Sequence, residues 1–205
     1  LGSNVRFFSV IGDDEYGEFL KKQGADRGLD IHSLVDPSRP TTHKKRYRAL
    51  GKTLLRVNQF IKQPISESLQ QKLFSEIDDR LDETDLLVFS DFNYGILPQK
   101  LIDNIVKSAK KKDVLVAADS QSSSQTGDVS RFRGAKLLTP TEREARLSLQ
   151  NYDDGLVTLA EKLRLKTSSE HVFITLGNEG LLIHTTEIPS QISTKWLTDQ
   201  LPAMN

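Results

Sequence analysis

Four apolar runs in the chain each stop abruptly at a polar turn. Residues 86–89 run into Ser90 and Asp91, 114–118 into Asp119, 137–138 into the turn 139–142, and 172–176 into the turn 177–180. Three of these runs are separated by stretches long and periodic enough for a helix. Strand–helix alternation of that kind builds a parallel sheet with both faces covered. Ligands of open parallel sheets sit in the crevice beyond the carboxyl ends of the strands. The polar turns are therefore expected to converge on one site.

Upstream, residues 5–11 read as a strand ending at Gly12, Asp13 and Asp14. A helix follows over about 15–27, with Tyr16, Phe19 and Leu20 on its apolar side and Gly28 as its stop. Residues 31–35 form a short strand. The pattern then changes: 42–50 and 53–59 are extended runs flanking Gly51 and Lys52, which predicts a β-hairpin. Helical spacing returns over 66–81, 98–111, from Glu142, and near 156–165. Residues 181–185 and 188–192 look like a β-meander, and the last dozen show no period.

Composition narrows the class. A chain of 205 residues suits one domain with a small appendage. Lys+Arg and Asp+Glu balance at 28 each, which argues against a general nucleic-acid or membrane binder. No apolar stretch approaches the roughly 18 residues of a spanning helix, and no signal peptide precedes the first strand. The absence of cysteine excludes Cys-ligated metals and fits a reducing, cytoplasmic setting. His32, His43, His171 and His184 are scattered without ligand spacing, which argues against a His-metal site. The chain opens without Met and reads as a piece of something longer.

Charge is uneven despite the neutral total. Between Pro37 and Ser66 there is no acid but eight cations, namely Arg39, Lys44, Lys45, Arg46, Arg48, Lys52, Arg56 and Lys62. Strand alternation places Lys44, Arg46 and Arg48 on one face, a row suited to a phosphorylated ligand. The same row would also protect a solvated sheet edge. Asp91 and Asp119, each at a strand end, could bind sugar hydroxyls or simply form turns. Thr141-Glu-Arg-Glu144 matches a capping box, in which Glu144 returns a hydrogen bond to the helix start. The functional alternative makes Glu144 a carboxylate organising Mg²⁺ and water beside a phosphate chain. Gly177 and Gly180 permit close backbone approach to a ligand or a tight hairpin turn. No G-x-G-x-x-G follows any strand, which sets aside a dinucleotide-binding oxidoreductase.

The order of these signals carries more than any one of them. V-I-G-D-D-E-Y-G, P-T-T-H-K-K-R-Y-R-A, L-V-F-S-D-F-N-Y-G, A-A-D-S, G-A-K-L-L-T-P-T-E-R-E-A and V-F-I-T-L-G-N-E-G follow one another from Val10 to Gly180. The series resembles the PfkB/ribokinase family of sugar kinases, nearest its heptose-7-phosphate kinase branch. The resemblance implies a Rossmann-like αβα domain with a small β-sheet lid, here about 31–36 and 41–59, that often forms a homodimer interface. Tyr47, Leu50, Leu54, Leu55 and Val57 supply apolar residues a small lid cannot bury alone. It also implies ATP and Mg²⁺ as cofactors and a sugar or sugar phosphate as acceptor. By family pattern Gly12, Asp13, Asp14 and Thr41-Thr42 lie near the sugar, and the charge row makes Lys44 and Arg46 the expected selectors of an acceptor phosphate. Asp91 lies near the sugar or phosphate path and Glu144 organises Mg²⁺. Asp119, Thr141, Thr175, Gly177, Glu179 and Gly180 border the nucleotide.

Departures from the branch are specific. Tyr94 stands where its S-D-Y-x-K-G lysine belongs, Ser120 and Gln121 replace the P-K after Asp119, and Thr141 replaces the Asn of N-x-x-E. The Gly-Gly motif expected before Leu1 and the G-A-G-D motif expected after Asn205, whose Asp is the family's base, lie outside the sequence. The expected activity is ATP-dependent phosphoryl transfer in a longer parent, the 205 residues alone being inactive. The competing reading is a sugar-phosphate-binding or dimerisation module built on a kinase fold.

Overall fold

The computed structural model describes residues 2–120 and 127–186, so the expected strand at 188–192 and most of the polar loop 120–127 lie outside the described residues. The chain divides into two units, Leu1–Asp79 with Tyr94–Leu101, and Arg80–Asn93 with Ile102–Asn205.

The first unit opens with β1 (Arg6–Ile11), α1 (Glu15–Asp26) and β2 (Asp30–Val35). Asp14 caps α1 at its start, and Gly28, at φ +64°, takes the left-handed conformation that ends it. β1 and β2 pair in parallel, Phe7 beside Ile31 and Val10 beside Leu34. This corrects the expectation that 31–36 belongs with the hairpin, because the ladder partner of β2 is β1. Gly24 is the local reason: a Cβ there would collide with the Ile31 side chain, so its absence lets α1 lie directly on β2. The hairpin forms from β3 (His43–Ala49) and β4 (Lys52–Gln59) alone. Ala49 and Lys52 close a two-residue turn in which Leu50 and Gly51 both have positive φ, 49° and 77°. That is the pattern of a type I′ turn, whose twist matches the strands. Every residue of β4 is exposed. Helix α2 (Glu67–Asp78) buries Leu73 and Ile77.

The second unit carries a five-stranded sheet in the order β5 (Leu86–Asp91), β6 (Leu115–Ser120), β7 (Leu137–Leu138), β8 (His171–Thr175) and β9 (Leu181–Thr185). β5 to β8 run parallel and β9 returns antiparallel, a ribokinase-like mixed sheet flanked by helices. Helix α3 (Gln99–Lys111) is shared by the two units, and α4 (Glu142–Leu149) and α5 (Leu156–Thr167) belong to the second. Alternation sorts the sheet into two faces. One carries Phe89, Val116, Ala118, Leu138, Val172, Ile174 and Leu182, all buried together with Leu159 and Leu163 of α5. The other carries Leu86, Val88, Leu115, Leu181 and Ile183, all exposed. Towards the middle of that second face Ala117, Leu137 and Phe173 are half-buried.

Candidate active site

The sugar-side candidates of the first unit form a hydrogen-bonded knot at the end of β1. Asp14 accepts from the Gly17 amide at 2.9 Å through Oδ1 and from the Thr41 amide at 2.7 Å through Oδ2. The Gly12 amide donates to Thr41 Oγ1 at 2.8 Å. Hydrogen bonds from the Thr41 side chain and backbone hold the Asp14 carboxyl below the usual range, since they favour its charged form. A Cβ on Gly12 would stand 2.5 Å from the Arg39 carbonyl oxygen and 2.7 Å from the Thr41 nitrogen, so only glycine fits. Asp14 is thus occupied internally, whereas Asp13 beside it is exposed. Thr41 is buried in the knot and Thr42 is exposed.

Three observations revise the basic segment. Arg39 is a structural cation: its Nε lies 2.8 Å from Asp36 Oδ2 with both side chains 7 % exposed, and its Nη2 donates to the Gln63 carbonyl at 2.9 Å. The basic run outside this buried pair therefore starts at Lys44. Arg46 stands directly opposite Arg56, with Lys44 opposite Asn58. Like charges directly across a ribbon repel one another, and a bound anion between them would relieve this. The third concerns Tyr94. Its ring is buried, stacks on Phe60 at 4.4 Å, and carries Lys44 Nζ at 5.1 Å from its centroid. A cation thus stands beside the position where the branch pattern puts a lysine.

In the second unit the carboxyl ends of β5 to β8 share one edge of the sheet. Asp91, buried, accepts from the Asn93 amide at 2.8 Å and so supports the positive φ of 60° at Asn93. Its other oxygen faces Arg131 Nη1 at 3.5 Å. Arg131 also donates to Asn93 Oδ1 at 3.3 Å. Sequence reasoning missed Arg131, because one arginine in R-F-R-G gives no pattern to distinguish it.

At the start of α4 the capping box is complete. Thr141 Oγ1 accepts from the Glu144 amide at 3.3 Å, and Glu144 Oε2 accepts from the Thr141 amide at 2.8 Å. Glu144 is 6 % exposed. Its charge reaches Asp119, whose carboxyl is pushed above the usual range first by burial and then by Glu144. Thr141 pairs with Thr175 in an isolated parallel bridge, and the Thr175 amide donates to the Pro140 carbonyl at 2.9 Å. This ties the end of β8 to the start of α4. The connection from β8 to β9 is a single 3₁₀ turn, Gly177–Glu179, closed by the Leu176 amide on the Gly180 carbonyl at 2.9 Å. Gly177 and Gly180 have φ of 62° and 105°, and a Cβ on either would meet nothing within 4 Å. Asp119, Thr141, Glu144 and Thr175 thus lie along one edge of the unit, with an open glycine turn beside them.

The model of the family described as pfkB family carbohydrate kinase matches residues 1–196. The chain belongs to this family. Among curated relatives, the bifunctional protein HldE of Helicobacter hepaticus is 33 % identical over 185 residues, covering 88 % of this chain and 38 % of the relative. HldE of Nitratiruptor is 28 % identical over 191 residues, covering 92 % and 39 %. The chain spans about two fifths of the length of these relatives. Among solved structures, phosphofructokinase-2 of Escherichia coli in complex with fructose-6-phosphate superposes with a TM-score of 0.69 at 16 % identity, over 91 % of this chain and 61 % of that one. Ribokinase of Giardia lamblia gives 0.70 at 19 % identity, over 89 % and 56 %. Both establish a ribokinase-like fold for this pfkB-family chain. Among the described residues no group of three or more His, Cys, Asp and Glu side chains is placed to hold a metal, and no helix is long and apolar enough to cross a membrane.

Proposed function

We propose that the chain is the central part of an ATP-dependent kinase that phosphorylates a sugar phosphate, similar to the heptose-7-phosphate kinases. The observation that carries this reading is the Asp119–Glu144 pair at the carboxyl edge of the parallel sheet. A part-buried carboxylate, Asp119, whose charged form is disfavoured by burial and by the charge of Glu144, fits a divalent cation held through water and phosphate oxygens, as Mg²⁺ is usually held. The Mg²⁺ would neutralise charge on the ATP phosphates, while Glu144 and Asp119 orient its water shell. The open turn 175–180 leaves the nucleotide room against backbone.

Acceptor recognition falls to the first unit. Asp13 offers an exposed carboxylate to sugar hydroxyls, and Gly12, Asp14 and Thr41 fix the loop that presents it. Lys44 and Arg46 select the phosphate of the acceptor, Lys44 standing in for the lysine absent at Tyr94. The hairpin acts as the lid and, through Tyr47, Leu54, Leu55 and Val57, all exposed, as the homodimer contact. Turnover belongs to a longer, cytoplasmic parent protein, whose catalytic base is supplied outside these 205 residues. The alternative is a non-catalytic sugar-phosphate-binding module, favoured by the aromatic ring at Tyr94.

An ADP-release assay on the parent against neutral sugars and their phosphates separates the two. The kinase reading expects a preference for sugar phosphates, and a raised KM with little change in kcat in Lys44→Ala and Arg46→Ala. Unchanged sugar-phosphate preference in both variants refutes the selector role, and no turnover of any acceptor leaves the binding module.

A further inference from the structure

A second concentration of positive charge lies in the second unit, at the opposite end of its sheet from Asp119 and Thr175. The last two turns of α3 and the segment leading into β7 enclose an open groove of about 420 Å³, lined by Lys107, Lys110, Lys111, Arg133, Val106 and Asp103. It sits at the amino ends of β6 and β7, since α3 ends at Lys111 just before β6 and Arg133 lies just before β7.

Six of the thirteen described cations of this unit have acidic partners, among them Arg131 with Asp91. Lys112 pairs with Asp82, Lys136 with Glu170, Arg146 with Glu142, Lys162 with Asp154 and Arg164 with Glu161. Lys107, Lys110, Lys111 and Arg133 form no ion pair among the described residues, and all four are exposed in the groove. Cations in the last turn of a helix complement its dipole, which accounts for Lys110 and Lys111. It does not account for Lys107, one turn earlier, or for Arg133, which comes from another segment. Gly134, at φ +80°, lies where the two segments meet. A Cβ there would stand 2.6 Å from Lys110 Nζ, which places the Lys110 ammonium beside the residue next to Arg133.

We propose that this groove binds a small anion carrying two or more phosphates, at a site separate from the nucleotide edge. Four cations against the one carboxylate of Asp103 leave an excess of positive charge that a single carboxylate would not balance and a di- or triphosphate would. The volume falls in the range of small-ligand clefts, roughly 300–1,000 Å³. Lysines supply point charges and Arg133 a planar fork, a combination suited to several phosphate oxygens.

Calorimetric titration of the 205-residue chain with inorganic tripolyphosphate tests this, with amide shifts followed by NMR. The expected result is saturable binding that weakens with salt, shifts at Val106, Lys110 and Gly134, and at least a tenfold loss of affinity in the triple variant Lys107→Gln, Lys111→Gln, Arg133→Gln. The double variant Lys107→Gln, Arg133→Gln, which leaves the last turn of α3 intact, should lose at least about half of that effect on a logarithmic scale. A control that removes charge elsewhere, Lys136→Gln with Lys162→Gln, should change affinity less than twofold. No saturable binding, shifts confined to 175–180, unchanged affinity in the triple variant, or an equal loss in the control would each overturn the proposal.

Discussion

Glu144 performs two tasks that a pair of substitutions can separate. Its Oε2 completes the capping box by accepting the Thr141 amide at 2.8 Å, and its charge raises the carboxyl of Asp119. Glu144→Gln keeps an acceptor of nearly the same reach, and glutamine serves as well as glutamate at this position of the box. For the capping bond the loss is its charge-assisted part, so that contribution should change by less than about 1 kcal/mol. Glu144→Ala removes the acceptor and leaves the Thr141 amide without it, which should cost about 1–3 kcal/mol. For a chain of this size that lowers Tm by roughly 2–4 °C per kcal/mol. Asp119 reports the charge. Burial is the larger cause of its raised pKa and remains in both variants, so its carboxyl should titrate lower than in the parent chain yet above its ordinary 3.8. A folded-state pKa raised in this way contributes stability below the unfolded value that is lost as pH rises through the folded value. Glu144→Gln should shrink that loss. Thermal scans with ¹³C-carboxyl NMR of Asp119 check both arms. Equal destabilisation by the two substitutions, or an Asp119 titration that does not move, would refute the reasoning.

Two further outcomes follow from side-chain contacts in the structure. Asp14→Ala removes both the α1 cap and the acceptor of the Thr41 amide, and should cost about 2–3 kcal/mol, with Asp14→Asn, which still caps, costing about half; no loss in Asp14→Asn by chemical denaturation would show that Thr41 gains nothing from the charge, and a loss equal to that of Asp14→Ala would show that the neutral cap contributes nothing. Glu161 is held down to about 2, first by Arg164 and then by His184, so its contribution is full above the ordinary carboxylate range and lost as pH falls towards 2. Its side chain is 40 % exposed, and solvent screening limits that contribution to about 1 kcal/mol. Acid unfolding of Glu161→Gln should accordingly start from slightly lower stability at neutral pH and lose less between about pH 4 and 2; an unchanged acid slope would count against the contact.

What could be read from the sequence divides along physical lines. The apolar runs ending at Asp91, Asp119, Thr139 and Leu176 marked β5 to β8, because a central parallel strand must be apolar whatever covers it. The capping box at Thr141 and the turn at Gly51 were legible because each depends on local chemistry within four residues. Partnership at a distance was not. Nothing in residues 31–36 says that Gly24 makes room for Ile31 under α1 or that β2 pairs with β1. Likewise Arg39 looks like one more cation of a basic run until Asp36, just outside that run, is seen beside it. Among neighbouring threonines, Thr41 is buried and Thr42 exposed, a difference set by Gly12 and Asp14 across the fold. The exposure of Leu86, Val88 and Leu115 was illegible too, since apolar positions look alike whether or not something covers them.

The central claim is phosphoryl transfer from ATP to an already phosphorylated sugar, and ³¹P NMR of a reaction mixture observes it directly. The parent protein with ATP, Mg²⁺ and a seven-carbon sugar 7-phosphate should convert the γ-phosphate signal into a second phosphate signal on the sugar, together with ADP. Glu144→Gln in the same protein should slow the conversion at least tenfold. Intact ATP after many hours with every sugar phosphate, or conversion at the same rate in Glu144→Gln, would contradict the account.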